Sequence, residues 1–130
     1  MKKVLFACVE NSCRSQMAEG FAIIHGSNIL VPYSAGSRAS GRINNKAVVA
    51  MTEIGYDLTE HKSKGLDKFS DLKFDYLITL GCNDKCPNIE TKLRKEWDIP
   101  DPKNMNITDF CKIRDLIEKR VLSLIGEIGH

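Results

Sequence analysis

The sequence has no apolar run approaching the roughly 20 residues that a membrane span requires, and its apolar stretch at 4–9 is too short for a signal peptide. The polar segment that follows, 10–16, also lacks a small-residue cleavage site, so a buried strand is the better reading and a cytoplasmic location is expected. Neither sign of charge dominates. The net charge is +2 with no basic run, which argues against nucleic-acid binding, since that needs a basic stripe or patch. One or two local charges would still suffice for a small anionic ligand. Internal repeats, low-complexity stretches and Pro- or Gly-rich linkers are all missing, and 130 residues suit a single domain, expected to span 1–130.

Cysteine is present but odd in number. Cys8, Cys13, Cys82, Cys86 and Cys111 make five, and an odd count without an export signal argues against a disulfide framework. Catalysis, redox cycling, metal binding or plain burial remain open. C-x3-C at 82–86 is half a zinc site at most; Cys111 and His61 would have to converge on it, so no metal is expected. His25, His61 and His130 show no triad-like spacing and read as surface or helix-end residues.

Residues 4–8 form a short apolar run, consistent with a buried parallel strand. Helical spacing follows over 12–24, with Met17, Phe21 and Ile24 at i, i+4 and i+7, ended by Gly26 and Ser27. A second strand is expected over 29–34, a second helix over 47–54 closed by Gly55, then a loop and short helix over 59–71. Residues 76–80 read as a third strand, 81–90 as a turn-rich segment, and 96–99 as a short fourth strand. The last helix, 109–125, turns Ile113, Leu116, Ile117, Val121, Leu124 and Ile125 to the core. Strands alternating with helices predict an α/β fold: an open parallel four-stranded sheet flanked by helices. Ligands of such sheets bind beyond the carboxyl ends of the strands, and Cys8 and Cys82 each follow one.

The segment 8–15, CVENSCRS, has the pattern C-x5-R-S between a predicted strand and a predicted helix. A loop wrapped over a helix N-terminus presents backbone N–H groups to an oxyanion, and the helix dipole favours negative charge there. Glu10, Asn11, Ser12, Cys13, Arg14 and Ser15 would surround the ligand, with Arg14 adding a fork for two oxygens. The same field favours the thiolate of Cys8, the nucleophilic form, and Ser15 could donate to it. The bland alternative makes Cys8 a buried strand-end thiol and Arg14 a surface residue. Cys13 reads as a small apolar residue packed beneath the loop.

The stretch VLFACVENSCRSQMAEGFA resembles the opening of the arsenate reductases that share the low-molecular-weight protein tyrosine phosphatase fold. The phosphatases usually continue CRSP; here Gln16 gives CRSQ, as in the reductases. The similarity continues through Ser34-Ala35-Gly36, the segment 76–87 and Trp97 to Pro102. The resemblance implies arsenate as substrate, no tightly bound cofactor, and an external thiol reductant. That reductant would be thioredoxin or, alternatively, glutaredoxin with glutathione. It also implies that Asp101, in Asp101-Pro102, handles the proton of the departing oxygen. Lys103 and Asn104 stand where the phosphatases often carry tyrosines, which removes a stacking surface for phosphotyrosine.

The resemblance further implies a relay: Cys8 attacks arsenic, Cys82 attacks Cys8, and Cys86 attacks Cys82. The interval C-x3-C is shorter than in well-known thioredoxin-coupled members. Four helical steps of about 1.5 Å would still put the two Cα atoms roughly 6 Å apart, inside the usual disulfide range of about 4.4–6.8 Å. Some members bind potassium through residues aligned with Asn11, Glu19, Ser34 and a following aspartate. Lys64 replaces that aspartate, so its ammonium is expected to stand in for the cation beside Glu19. The alternatives are a low-molecular-weight tyrosine phosphatase and a noncatalytic thiol sensor.

Overall fold

A computed structural model describes residues 1–81 and 89–129. Strand β1 (Lys2–Cys8) leads through α1 (Arg14–Gly26) to β2 (Leu30–Gly36). Helix α2 (Asn45–Glu53) and two short 3-10 turns (Leu58–Glu60, Leu66–Phe69) precede β3 (Phe74–Leu80). Strand β4 (Thr91–Trp97) and the long α3 (Ile107–Ile128) complete the chain. All strand pairs are parallel, in the order β2-β1-β3-β4. The fold is thus the open four-stranded parallel sheet with helices. The order reverses at β1, which places a crevice beyond its carboxyl end, where Cys8 lies.

Val4, Leu5, Phe6 and Ala7 of β1 are all fully buried, as befits a central strand covered on both faces. Strand β4 differs from the expectation. It covers Thr91–Trp97, not 96–99, because it is an edge strand whose charged side chains, TKLRKEW, hide it from any hydropathy pattern. Such charges also protect an edge from pairing with other chains. Helix α1 keeps Met17, Ala18, Phe21 and Ala22 buried, whereas Ile24 is exposed, so the i+7 position is not part of its core face. Helix α3 buries Ile113, Ile117, Val121, Leu124 and Ile125 as the spacing requires, adds Phe110, and leaves Leu116 partly covered.

Arg114 joins α3 to α2. Near its C-terminus α2 tightens, and the Ile54 N–H bonds Met51 rather than Ala50. The Ala50 carbonyl instead accepts from Arg114 Nη1 at 2.8 Å. Glu53 accepts from the same nitrogen at 3.0 Å, and Asp115 from Nε at 2.9 Å. Burial works against the charge, but these carboxylates outweigh it and hold the guanidinium pKa above its ordinary value. A cation at a helix C-terminus also complements the dipole. Arg114→Met keeps the aliphatic stem and removes the donors. It is expected to cost about 1–3 kcal/mol, the penalty of orphaned buried polar groups, measurable as a lower urea midpoint with unchanged slope.

Candidate active site

The loop from Cys8 to Arg14 is held from outside. Ser37 N donates to the Cys8 carbonyl (3.2 Å), Arg38 N to Val9 (2.8 Å), Ser40 N to Glu10 (2.9 Å) and Asn44 N to Ser12 (2.8 Å). With its carbonyls engaged by the segment 37–44, the loop can turn its N–H groups inward. Close approach makes glycine necessary at position 36: a Cβ there would lie 2.5 Å from the Val9 carbonyl oxygen and 2.8 Å from Asn11 N. This explains the Ser34-Ala35-Gly36 segment in backbone terms.

Asn11 adopts a left-handed conformation, φ +50°, which asparagine tolerates better than most residues. Its side chain makes three hydrogen bonds. Nδ2 donates to Ser15 Oγ at 2.8 Å, and Oδ1 accepts from Gln16 Nε2 (2.8 Å) and Lys64 N (2.7 Å). Ser15 Oγ in turn lies 2.9 Å from Cys8 Sγ. Because Asn11 already donates to that oxygen, the serine hydrogen is free to point at sulfur, the arrangement a thiolate needs.

Helix α1 starts without a side-chain cap: Cys13 occupies the N-cap and makes no such bond. Helices α2 and α3 are capped by Asn44 and Asn106. The first turn of α1 therefore keeps its orphan N–H groups for another acceptor. Burial, with Cys8 and Asp101 nearby, pushes the Cys13 thiol up to about 11, so it stays protonated and acts as packing beneath the loop.

Arg14 is 8% exposed. Nη1 donates to the Ile99 carbonyl at 2.9 Å, and Nη2 lies 3.8 Å from Asp101 Oδ2. The guanidinium packs so closely on Gly81, φ +77°, that a Cβ there would collide with it. Nε is buried without a protein acceptor among the described residues. A buried donor costs about 1–3 kcal/mol when unsatisfied, and an oxyanion is the natural group to satisfy it. Cys8, Asn11, Arg14, Ser15 and Asp101 thus come together from both ends of the sequence. Cys82 and Cys86 lie outside the described residues.

The cation stretch departs from its expectation in detail. Glu19 accepts from Ser34 Oγ at 2.7 Å and pairs with His61 Nδ1 at 3.3 Å, not with Lys64. The Lys64 ammonium donates to the Lys62 carbonyl at 2.8 Å. Burial raises the Glu19 carboxyl, but hydrogen bonds from His61 and Ser34, together with the nearby Lys64 charge, outweigh it and leave its pKa below the usual range. His61, read from sequence as a surface residue, is largely buried. Nδ1 also meets Gln16 Oε1 at 2.9 Å, and Nε2 meets Tyr56 OH at 2.6 Å. Gln16 bonds both the backbone carbonyl and Oδ1 of Asn11, so this cluster buttresses the loop from behind. The signal available in sequence was position: His61 lies in the same segment as Lys64, already expected to face Glu19.

Strand, loop, uncapped helix and buried arginine define a parallel α/β protein whose loop geometry suits a tetrahedral oxyanion beside a cysteine. The family model for low molecular weight phosphotyrosine protein phosphatase matches residues 3–130, and the chain belongs to that family. It is 35% identical to the glutaredoxin arsenate reductase of Synechocystis sp. over 99% of this chain and 100% of that one. It is 38% identical to the arsenate reductase of Staphylococcus aureus strain Newman, over 90% and 91% of the two chains. A solved structure described as an arsenate reductase in the phosphate binding state is similar with a TM-score of 0.90, at 35% identity, over 98% of this chain and 99% of that one.

Proposed function

We propose that this protein is an arsenate reductase working by nucleophilic thiol chemistry. The carrying observation is the Cys8–Ser15 pair beside the half-satisfied Arg14 fork, in a chain that aligns end to end with a named arsenate reductase. Arsenate binds with its oxygens on the loop N–H groups and the Arg14 guanidinium. The Cys8 thiolate attacks arsenic, and one oxygen leaves as water after taking protons, with Asp101 as donor. The product is a covalent Cys8–arsenic(V) adduct.

Two electrons must then reach arsenic. Cys82 attacks Cys8 sulfur, forming a Cys8–Cys82 disulfide. The electron pair of the broken S–As bond stays on arsenic, which departs as arsenite. Cys86 attacks Cys82, frees Cys8, and leaves Cys82–Cys86 for an external thiol reductant. A phosphatase needs neither of these cysteines, and Lys103 stands where a stacking aromatic would serve a phosphotyrosine. Such dithiol cycling suits the reducing cytoplasm. No helix among the described residues is long and apolar enough to cross a membrane.

The relay as drawn hands a protein dithiol–disulfide to thioredoxin. A glutaredoxin route with glutathione is the second reading, favoured by the name of the Synechocystis relative. Arsenite production with either reducing system, for native protein and Cys86→Ser, separates them. Turnover with thioredoxin that vanishes in the variant is expected. Turnover only with glutathione and glutaredoxin, little changed by the variant, keeps the reductase and removes the relay. Rapid phosphotyrosine turnover retained after Cys82→Ser would overturn both.

The Lys64 charge near Glu19, together with the His61 and Ser34 hydrogen bonds to its carboxylate, also supports potassium independence. Equal turnover in potassium and sodium chloride at matched ionic strength is the expected result. Selective activation by potassium would sink that idea.

A further inference from the structure

Asp101 presents a carboxylate that is 50% exposed, so packing does not orient it. Two contacts do. Oδ1 accepts from the backbone N–H of Lys103 at 3.0 Å, and Oδ2 faces Arg14. The Lys103 side chain then returns to the anion loop, its ammonium donating to Glu10 Oε2 at 3.2 Å. One residue therefore touches the acid with its backbone and the nucleophile's loop with its side chain. The anchor is itself fixed, because the Glu10 carbonyl accepts from Ser40 N (2.9 Å) and Ser63 Oγ (3.1 Å).

This pair is too exposed to matter for stability. The two side chains are 54% and 39% accessible, and such ion pairs are worth about 0–1 kcal/mol. Glu10 is moreover an awkward residue for its place: an unpaired carboxylate on an anion-binding loop repels a doubly charged substrate. Its presence makes sense if the Lys103 ammonium neutralises it and the pair serves geometry. Misplacing a catalytic group by 1 Å can cost about 100-fold.

We propose that Lys103 is a positioning residue for Asp101, with Glu10 as its anchor, so that the pair latches the acid loop to the anion loop. The proposal rests on the proton-donor role of Asp101 given above. It accounts for a lysine after Asp-Pro by what the lysine holds, beyond the aromatic it replaces.

The test is single-turnover arsenite formation with Lys103→Met, Lys103→Arg and Glu10→Gln, each alone and combined with Asp101→Asn. Amide hydrogen exchange at position 103 is read in parallel. Lys103→Met and Glu10→Gln are expected to slow the turnover step about tenfold and to speed exchange at position 103. Lys103→Arg should retain most of the rate. Glu10→Gln should leave arsenate affinity unweakened, since it removes a negative charge. In the Asp101→Asn background neither change should slow the reaction further. A tenfold loss that persists in that background, or native rates and exchange in both variants, overturns the proposal. If native protein forms no arsenite while exchange at position 103 still responds to Glu10→Gln, the reductase reading fails and the latch stands.

Discussion

Cys8→Ser is expected to abolish arsenite formation, lowering the rate at least about 1,000-fold, towards the uncatalysed background. In the proposed mechanism the sulfur is needed twice. As thiolate it attacks arsenic, and as a divalent sulfur it then accepts attack from a second thiol while the S–As electron pair reduces arsenic. A serine hydroxyl stays protonated near neutral pH and can form no disulfide, so both steps are lost together. The fold should be indifferent. Cys8 is 3% exposed and meets Ser15 Oγ at 2.9 Å, and a smaller hydroxyl can keep that contact. Thermal unfolding within a few degrees of native, with phosphate binding retained, would separate chemistry from structure. Residual turnover above about a tenth of native would remove Cys8 from its role.

The second large effect is expected at Arg14. Arg14→Lys keeps the charge and should still lower kcat/KM about 100- to 1,000-fold, the range for losing a preorganised donor to a developing oxyanion. One guanidinium does several jobs at once. Nη1 is committed to the Ile99 carbonyl, Nη2 faces Asp101, and Nε remains buried and unpaired among the described residues. A lysine ammonium is a compact point charge that cannot hold the carbonyl and present a planar fork together. Losing the Ile99 contact also loosens the connection between the anion loop and the acid loop. The effect should therefore fall on both arsenate affinity and the rate of the covalent step. Steady-state kinetics with single-turnover rates test this directly. A change confined to KM, with the covalent step intact, would reduce Arg14 to a simple charge.

Short-range features are the legible part of this sequence. C-x5-R-S between an apolar run and a helical repeat identified the loop, because a strand end, a turn and a helix start are all short-range features. The buried strands β1 and β3 and the core face of α3 were legible for the same reason: burial on a regular element imposes its period on the sequence. Strand β4 was displaced in the reading because edge strands carry charge, and nothing local distinguishes TKLRKEW from a polar loop. Ile24 looked like a core residue because it kept the helical period, but no neighbouring element covers it.

The chain by itself supplied the candidate groups: a thiol, an arginine and an Asp-Pro acid, with two further cysteines at positions 82 and 86 of the sequence. Only the tertiary structure decided who serves whom. Arg14 meets Ile99, and Lys103 meets Glu10, across more than eighty positions of sequence. His61 becomes a buried partner of Glu19 and Gln16 instead of a surface histidine. Such pairings arise because the order β2-β1-β3-β4 delivers the ends of β1 and β4 to one rim. Partner choice among polar side chains follows from that delivery, since a polar group pairs with whatever acceptor the fold brings within reach.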